Sequence, residues 1–262
     1  MRGELDGEVS EKGLSTLPSE QRLARFYLRS GSSVGLERRP VTAEVAGSSP
    51  VRIASFTLVF LLTSSAMPER KKSALGFWLG DLKIETRPGV FAKQDIDFCT
   101  RLLVERVRPR DPEETLCDLG AGSGVVGISF AKQVERVVFL EANLRAVKTC
   151  RENLRRNKIA NGEVFLSDVF AEFDEEKPGE KFSLILSNPP IHGGKDLVKE
   201  FLLGARRHLL PGGRFFLACR KDLPFDRWAA EIFEERGGGA KISFRSPRAK
   251  LVEAWMPRQE KS

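Results

Sequence analysis

The sequence predicts an α/β fold, a doubly wound and mainly parallel sheet with helices on both faces. Two observations carry that prediction. From Thr115 to Trp255, short apolar runs alternate with stretches of helical periodicity through five strand–helix units. The first strand also runs straight into a glycine-rich bend, Leu116–Gly124 (LCDLGAGSG), and a helical pattern begins at once with Val125, Val126 and Ile128. The 262 residues suit one domain or a domain with an appendage, and 41% hydrophobic with 30% charged residues describes an ordinary soluble globular protein.

Taken in order, Lys71–Thr86 holds Phe77, Trp78 and Leu82 and reads as a short packing arm. Ile96, Cys99, Leu102, Leu103 and Val107 recur at helical spacing over 95–107, and Pro109 and Pro112 close that helix. Val137–Leu140 is a second strand ending in Glu141, and Asn143–Asn157 a helix with Leu144, Val147, Cys150 and Leu154 inward. Val164–Leu166 is a third strand, followed by Ser167 and Asp168, and residues 172–180 read as an acidic loop. Phe182–Leu186 is a fourth strand that stops at Asn188-Pro189-Pro190. Residues 195–210 are helical, Pro211-Gly212-Gly213 is a turn, and Arg214–Cys219 is a fifth strand. A helix over 225–235 and a terminal hairpin, 241–244 with 251–255, complete the domain.

The first 66 residues are of another kind. No periodicity persists there, and the apolar run Ile53–Leu62 is too short for a membrane span and too far in for a secretory signal. Residues 31–54 resemble the conceptual translation of a transfer-RNA gene: Ala46–Val51 can be encoded by codons that spell the T-arm consensus GGTTCGAGTCC. The expectation is that translation begins at Met67, that residues 1–66 are a mis-annotated or disordered extension, and that 67–262 is the functional domain. A disordered, basic, RNA-binding extension is the alternative. Residues 1–66 hold 8 Lys and Arg against 7 Asp and Glu, so nearly all of the +7 charge belongs to the rest. That charge permits a nucleic-acid partner. Four cysteines with no C-x-x-C pair suit free thiols in a reducing cytoplasm, and two histidines exclude a His-rich metal site.

The chemistry lies at the strand ends, where ligands of open α/β sheets bind. Gly122, Gly124 and Gly127 satisfy G-x-G-x-x-G, and Glu141 follows Gly122 by 19 residues, near the spacing of a dinucleotide site. The competing frame is D-x-G-x-G-x-G of S-adenosylmethionine sites, which Asp118, Gly120, Gly122 and Gly124 fit throughout. In either frame the glycines let loop N–H groups approach a ligand. Glu141 is placed to accept from ribose hydroxyls, and Asp168 either from an adenine amine or as a helix cap. In Asn188-Pro189-Pro190-Ile191 the prolines stiffen the chain past the strand. The Asn188 amide oxygen and the Pro189 carbonyl can then grip an exocyclic NH2 and leave its lone pair facing a methyl donor, which a plain strand-ending turn would not explain.

Four blocks, RPGVFAKQDIDFCTRLL, LCDLGAGSGVVGI, LILSNPPIHGGKD and LLPGGRFFLACRKDLPF, make residues 87–256 resemble the class I methyltransferases of the small methyltransferase domain group. Ribosomal RNA guanine-N2 methyltransferases typify that group. The resemblance implies a Rossmann-like, seven-stranded sheet with an antiparallel terminal hairpin. It also implies that Asp118, Gly120, Ala121, Gly122 and Asn188 line S-adenosylmethionine, Glu141 holds its ribose and Asp168 its adenine. Asn188, Pro189, Pro190 and Ile191 would hold the target amine, in RNA and specifically in ribosomal RNA. Ile191 departs from the family's aromatic, which stacks on the target base; aliphatic packing can replace some of that contact, and Phe91, Phe225 and Trp228 are the candidate substitute rings. Glutamine N-methylation, a non-catalytic S-adenosylmethionine-binding assembly factor and, more remotely, a dinucleotide oxidoreductase are the other readings.

Overall fold

The computed structural model describes residues 75–87, 96–112, 114–190 and 194–258, without the side chains of Leu75 and Trp78. The extension 1–66, Phe91 and Ile191 lie outside the described residues.

Apolar runs make the parallel strands, most of them buried on both faces and the edge strand Gly162–Leu166 half-buried throughout. They are β3 (Thr115–Leu119), β4 (Arg136–Glu141), β5 (Gly162–Leu166), β6 (Phe182–Ser187) and β7 (Leu209–Arg220). With β8 (Gly239–Arg245) and β9 (Ala249–Trp255) they form a seven-stranded sheet in the order β5-β4-β3-β6-β7-β9-β8. The first five are parallel, and β9 is antiparallel to both β7 and β8, as the terminal hairpin predicts.

Alternation along the strands sends side chains to two cores. Leu116, Val137, Phe139, Leu184, Leu186 and Phe216 pack under α1 (Phe98–Arg106), α2 (Val125–Phe130) and α3 (Leu144–Arg156). Cys117, Leu119, Val138, Leu140, Ile185 and Phe215 pack under α4 (Ala171–Glu176), α5 (Gly194–His208) and α6 (Phe225–Glu234).

Three elements differ from expectation. The acidic loop is partly the helix α4. Phe173 is wholly buried there with the Phe165 and Phe182 rings 5.1 and 5.8 Å away, and Glu172 and Asp174 in the first turn suit the helix dipole. The Pro211-Gly212-Gly213 turn lies inside β7 as a looped-out segment: Phe182 pairs with Leu209, whereas Leu184 pairs with Arg214. The packing arm is a hairpin, β1 (Leu75–Leu79) and β2 (Leu82–Thr86), turned by Gly80 at φ +57° and laid against α3. Buried Asn153 of α3 accepts from the Glu85 N–H and donates to the Glu85 carbonyl, both at 2.9 Å. Its Nδ2 also donates to the Ser123 carbonyl at 2.9 Å, so one side chain ties the hairpin to the glycine loop.

His208 stacks on Phe170 with centroids 3.8 Å apart and reaches the Gly204 carbonyl and Asp174, a structural tie between α5 and α4. All four cysteines are free, and Cys117, Cys150 and Cys219 are buried. No described helix is long and apolar enough to cross a membrane.

Candidate active site

The register of the sheet sets the expected residues side by side. Asp118 pairs with Phe139 on β4 and with Leu186 on β6, so Glu141, Gly120 and Asn188 come abreast at the carboxyl ends of three adjacent strands. Glu141 pairs with Leu166, which puts Asp168 beyond the end of β5, at the far end of the row. Strands lie about 4.8 Å apart, so the row from Asp168 to Asn188 crosses about 14 Å. Ser187 Oγ donates to the Leu119 carbonyl at 2.7 Å and locks the ends of β3 and β6 together.

The glycine loop is built by close approach. Gly120, Gly122 and Gly124 have φ of +75°, +58° and +82°, values costly for other residues. Space differs sharply among them. A Cβ on Gly124 would lie 2.5 Å from Cys150 Sγ, and one on Gly127 would lie 2.3 Å from Phe139 Cε1. Nothing lies within 4 Å of the corresponding point at Gly122, so the loop opens to a ligand there.

The loop amides are not offered outward as the glycines suggested. Gly120 and Ala121 N–H both donate to the Leu140 carbonyl at 2.9 and 3.0 Å, and Gly124 N–H to the Ala121 carbonyl at 2.8 Å. Gly122 N–H donates to Glu141 Oε2 at 2.8 Å, and the other oxygen, Oε1, accepts from Asn143 N–H at 2.8 Å. Beside them Asp118 Oδ2 takes the Gly127 N–H at 2.8 Å. Four loop donors are thus spent within the protein, and two carboxylates face the bend. Pyrophosphate recognition needs the reverse, free N–H groups and positive potential. That charge pattern disfavours a dinucleotide and suits a cofactor with cationic groups and ribose hydroxyls.

Burial dominates the electrostatics. It pushes Asp118 up to about 7, with the Gly127 N–H opposing and the Glu141 charge adding to the rise. Burial also raises Glu141, against the N–H groups of Asn143, Gly122 and Ala142. A cation placed between these groups would favour the ionised forms of both.

Asn188 is half-buried and Pro189 buried, while Pro190 is exposed. Asn188 Nδ2 donates to Asp97 Oδ1 and Oδ2 at 3.1 and 3.0 Å, and reaches Thr100 Oγ1 at 3.0 Å. Neither partner is marked for this contact by the sequence. Asp97 is also the N-cap of α1, accepting from Cys99 and Thr100 N–H at 2.9 and 3.2 Å. An Asp before a helix signals only a cap, and its second duty comes from packing 91 residues apart. Asn153 escaped notice for the same reason.

Asp168 does not act as the side-chain cap of α4, whose N-cap is Phe170 with no side-chain bond. Its backbone N–H donates to Glu172 Oε2 at 2.7 Å. The next residue, Val169, sits at φ +55°, a strained conformation for a β-branched residue, at the rim of the row.

Of the candidate stacking rings, Phe225 is 3% exposed and closed to a base. Trp228 is half-buried, with the Phe225 ring 5.4 Å away and Lys195 Nζ 5.5 Å from its centroid. Phe98, next to Asp97, is 41% exposed. Arg220 and Lys221 are exposed at the end of β7, Arg220 bridging to Asp222. Arg206 on α5 donates to the Ile232 carbonyl and pairs with Glu235, both at 2.6 Å.

A parallel sheet with an antiparallel β7–β9–β8 end, and a row of carboxylates and an Asn-Pro-Pro turn at its carboxyl edge, defines a Rossmann-like methyltransferase fold. Residues 81–239 match the family described as "Methyltransferase small domain", and the chain belongs to that family. It is 32% identical over 179 residues to ribosomal RNA small subunit methyltransferase C of Mannheimia succiniciproducens, covering 66% of this chain and 50% of that protein. A protein of the same name from Escherichia coli is 32% identical over 195 residues, 71% of this chain and 54% of its own. The chain therefore spans about half the length of these relatives. The T. thermophilus 16S rRNA N2 methyltransferase RsmC, in complex with AdoMet and guanosine, superposes with a TM-score of 0.61 at 26% identity, over 70% of this chain and 50% of that one. A methyltransferase from Pyrococcus furiosus shares the fold alone, with a TM-score of 0.54 at 19% identity over 68% and 91% of the two chains.

Proposed function

We propose that the chain is an S-adenosylmethionine-dependent N-methyltransferase acting on an exocyclic amine in RNA, most specifically guanine N2 of ribosomal RNA, and that residues 67–262 carry the activity. The observation that supports it best is the pairing of an acidic, donor-spent glycine loop with an Asn-Pro-Pro turn one strand away. The relatives named for small-subunit ribosomal RNA, and the neighbour that holds AdoMet and guanosine, point to the same substrate.

In this reading Gly120, Ala121 and Gly122 line the cofactor. Asp118 and Glu141 supply negative charge and hydroxyl acceptors, and Asp168 reaches the adenine end. Bound S-adenosylmethionine supplies an electrophilic methyl group on a sulfonium. Asn188 Oδ1 and the Pro189 carbonyl accept the two N–H bonds of the target amine, so its lone pair points at the methyl carbon. Held there, the aligned nitrogen would take over the methyl group of the cofactor, the S–C electron pair staying with sulfur and the surplus proton of the nitrogen leaving to water. Orientation carries the rate, with no strong base required. Trp228 and Lys195 meet the RNA, where a stacked base would contribute about 1–3 kcal/mol.

The test uses the full chain with methyl-labelled cofactor, offered unmodified small ribosomal subunits, naked ribosomal RNA, total transfer RNA and protein extract. Digestion to nucleosides should place the label in N2-methylguanosine from ribosomal RNA. Label in N6-methyladenosine would replace the substrate, label in glutamine would move the activity to protein, and cofactor binding without any transfer would reject the enzyme reading.

A further inference from the structure

We propose that Asp97 is a positioning residue for methyl transfer, fixing which end of the Asn188 amide faces the target amine. The proposal rests on the reading of Asn188 given above. An amide presents a donor at one end and an acceptor at the other, and only the acceptor end can hold an NH2 with its lone pair free. Left to itself the Asn188 side chain could turn either end to the substrate.

Three contacts remove that freedom. Both Asp97 oxygens and Thr100 Oγ1 lie 3.0–3.1 Å from Asn188 Nδ2. Asp97 and Thr100 are themselves fixed, because Thr100 Oγ1 donates to Asp97 Oδ2 at 2.5 Å and both residues belong to the capped first turn of α1. The Thr100 hydroxyl gives its proton to Asp97 and so accepts from Asn188. Among the described residues every partner of Nδ2 is therefore an acceptor, and the NH2 end is committed to α1. Asn188 Oδ1 is left to the amine. The acceptors on the NH2 end also polarise the amide and strengthen Oδ1 as positive charge grows on the amine.

The obvious objection is that Asp97 only caps a helix, and Asp97→Asn separates the two duties. Asn caps helices about as well as Asp. Its Oδ1 would keep the cap and one contact to Asn188 Nδ2, but its Nδ2 would set a donor against Asn188 Nδ2 where Oδ2 accepts, which favours turning the acceptor end of Asn188 inward. The expected result for Asp97→Asn is a kcat lowered ~10–100-fold, with cofactor affinity and the KM for RNA within about threefold of the wild type. The double variant Asp97→Asn with Asn188→Asp restores a donor–acceptor pair and leaves a carboxylate oxygen for the amine, so it should recover part of the lost kcat. The side-chain NH2 resonance of Asn188 in a 15N spectrum of the cofactor-free protein gives a readout apart from activity, and it should shift and exchange faster in Asp97→Asn. Wild-type transfer together with an unchanged kcat, or an unmoved Asn188 resonance, in Asp97→Asn overturns the proposal. Absence of transfer by the wild type overturns instead the reading on which it rests.

Discussion

Substituting alanine at two glycines only five residues apart should produce opposite phenotypes. Gly127 lies inside α2, where Gly→Ala ordinarily stabilises by about 1 kcal/mol. Here the new methyl would stand 2.3 Å from Phe139 Cε1 and 2.9 Å from Val137 Cγ1, both in the buried core under α2. Overpacking of that kind costs ~1–3 kcal/mol, and contacts this short put it near the top of the range. The net loss is then about 2 kcal/mol, or about 4–8 °C in Tm for a domain of this size. At Gly122 the methyl meets no protein atom, so the cost is the left-handed backbone alone, ~1–2 kcal/mol, but the methyl enters the space assigned to the cofactor. Gly122→Ala should therefore lose no more stability than Gly127→Ala yet bind S-adenosylmethionine at least tenfold more weakly, whereas Gly127→Ala keeps the wild-type affinity. Urea unfolding and calorimetric titration of both variants read the two effects separately. A Gly127→Ala protein as stable as the wild type, or a Gly122→Ala protein with unchanged affinity, would refute the assignment of one glycine to packing and the other to the ligand.

Asp118 should leave a pH signature. Its carboxyl is raised from 3.8 to about 7 in the folded protein, so its contribution to stability is present below pH 3.8 and is lost as pH rises through 7. The wild type should lose roughly 2–3 kcal/mol relative to Asp118→Asn between pH 5 and pH 8; urea unfolding at both pH values that gives a constant difference would contradict this. Trp228→Ala should raise the KM for RNA ~5–100-fold with little effect on cofactor affinity, and equal RNA affinity would remove Trp228 from the interface. Intact-mass and peptide analysis of the native protein should find Met67 at the N-terminus, and an abundant peptide from residues 1–66 would defeat that start site.

The architecture was legible because its determinants are local. Both-faces-buried runs such as Val137–Leu140 and the strand–glycine–helix junction at Leu116–Ile128 each announce an element and its neighbour. The ends of the sheet were legible too, since Glu141 ends its strand and Asn188 directly follows one. What escaped was fixed by contacts across the fold. Phe173 draws an acidic stretch into α4 only because Phe165 and Phe182 surround it. The looped-out segment in β7 appears only when Phe182 and Leu184 are seen to skip from Leu209 to Arg214. Glycine spacing predicted an approachable loop but not that its amides turn back onto Leu140 and Glu141. Asp97 and Asn153 carried no signal beyond a cap and a helix-end amide, although both hold the site together.

The central claim is that Asn188 aligns an amine for transfer while the glycine loop holds the cofactor. Its most direct test is single-turnover methyl transfer to unmodified ribosomal RNA by wild type and Asn188→Ala, with cofactor affinity measured on the same preparations. The account predicts a rate lowered by ~100-fold or more, with the cofactor Kd changed far less. A rate within threefold of the wild type would contradict it.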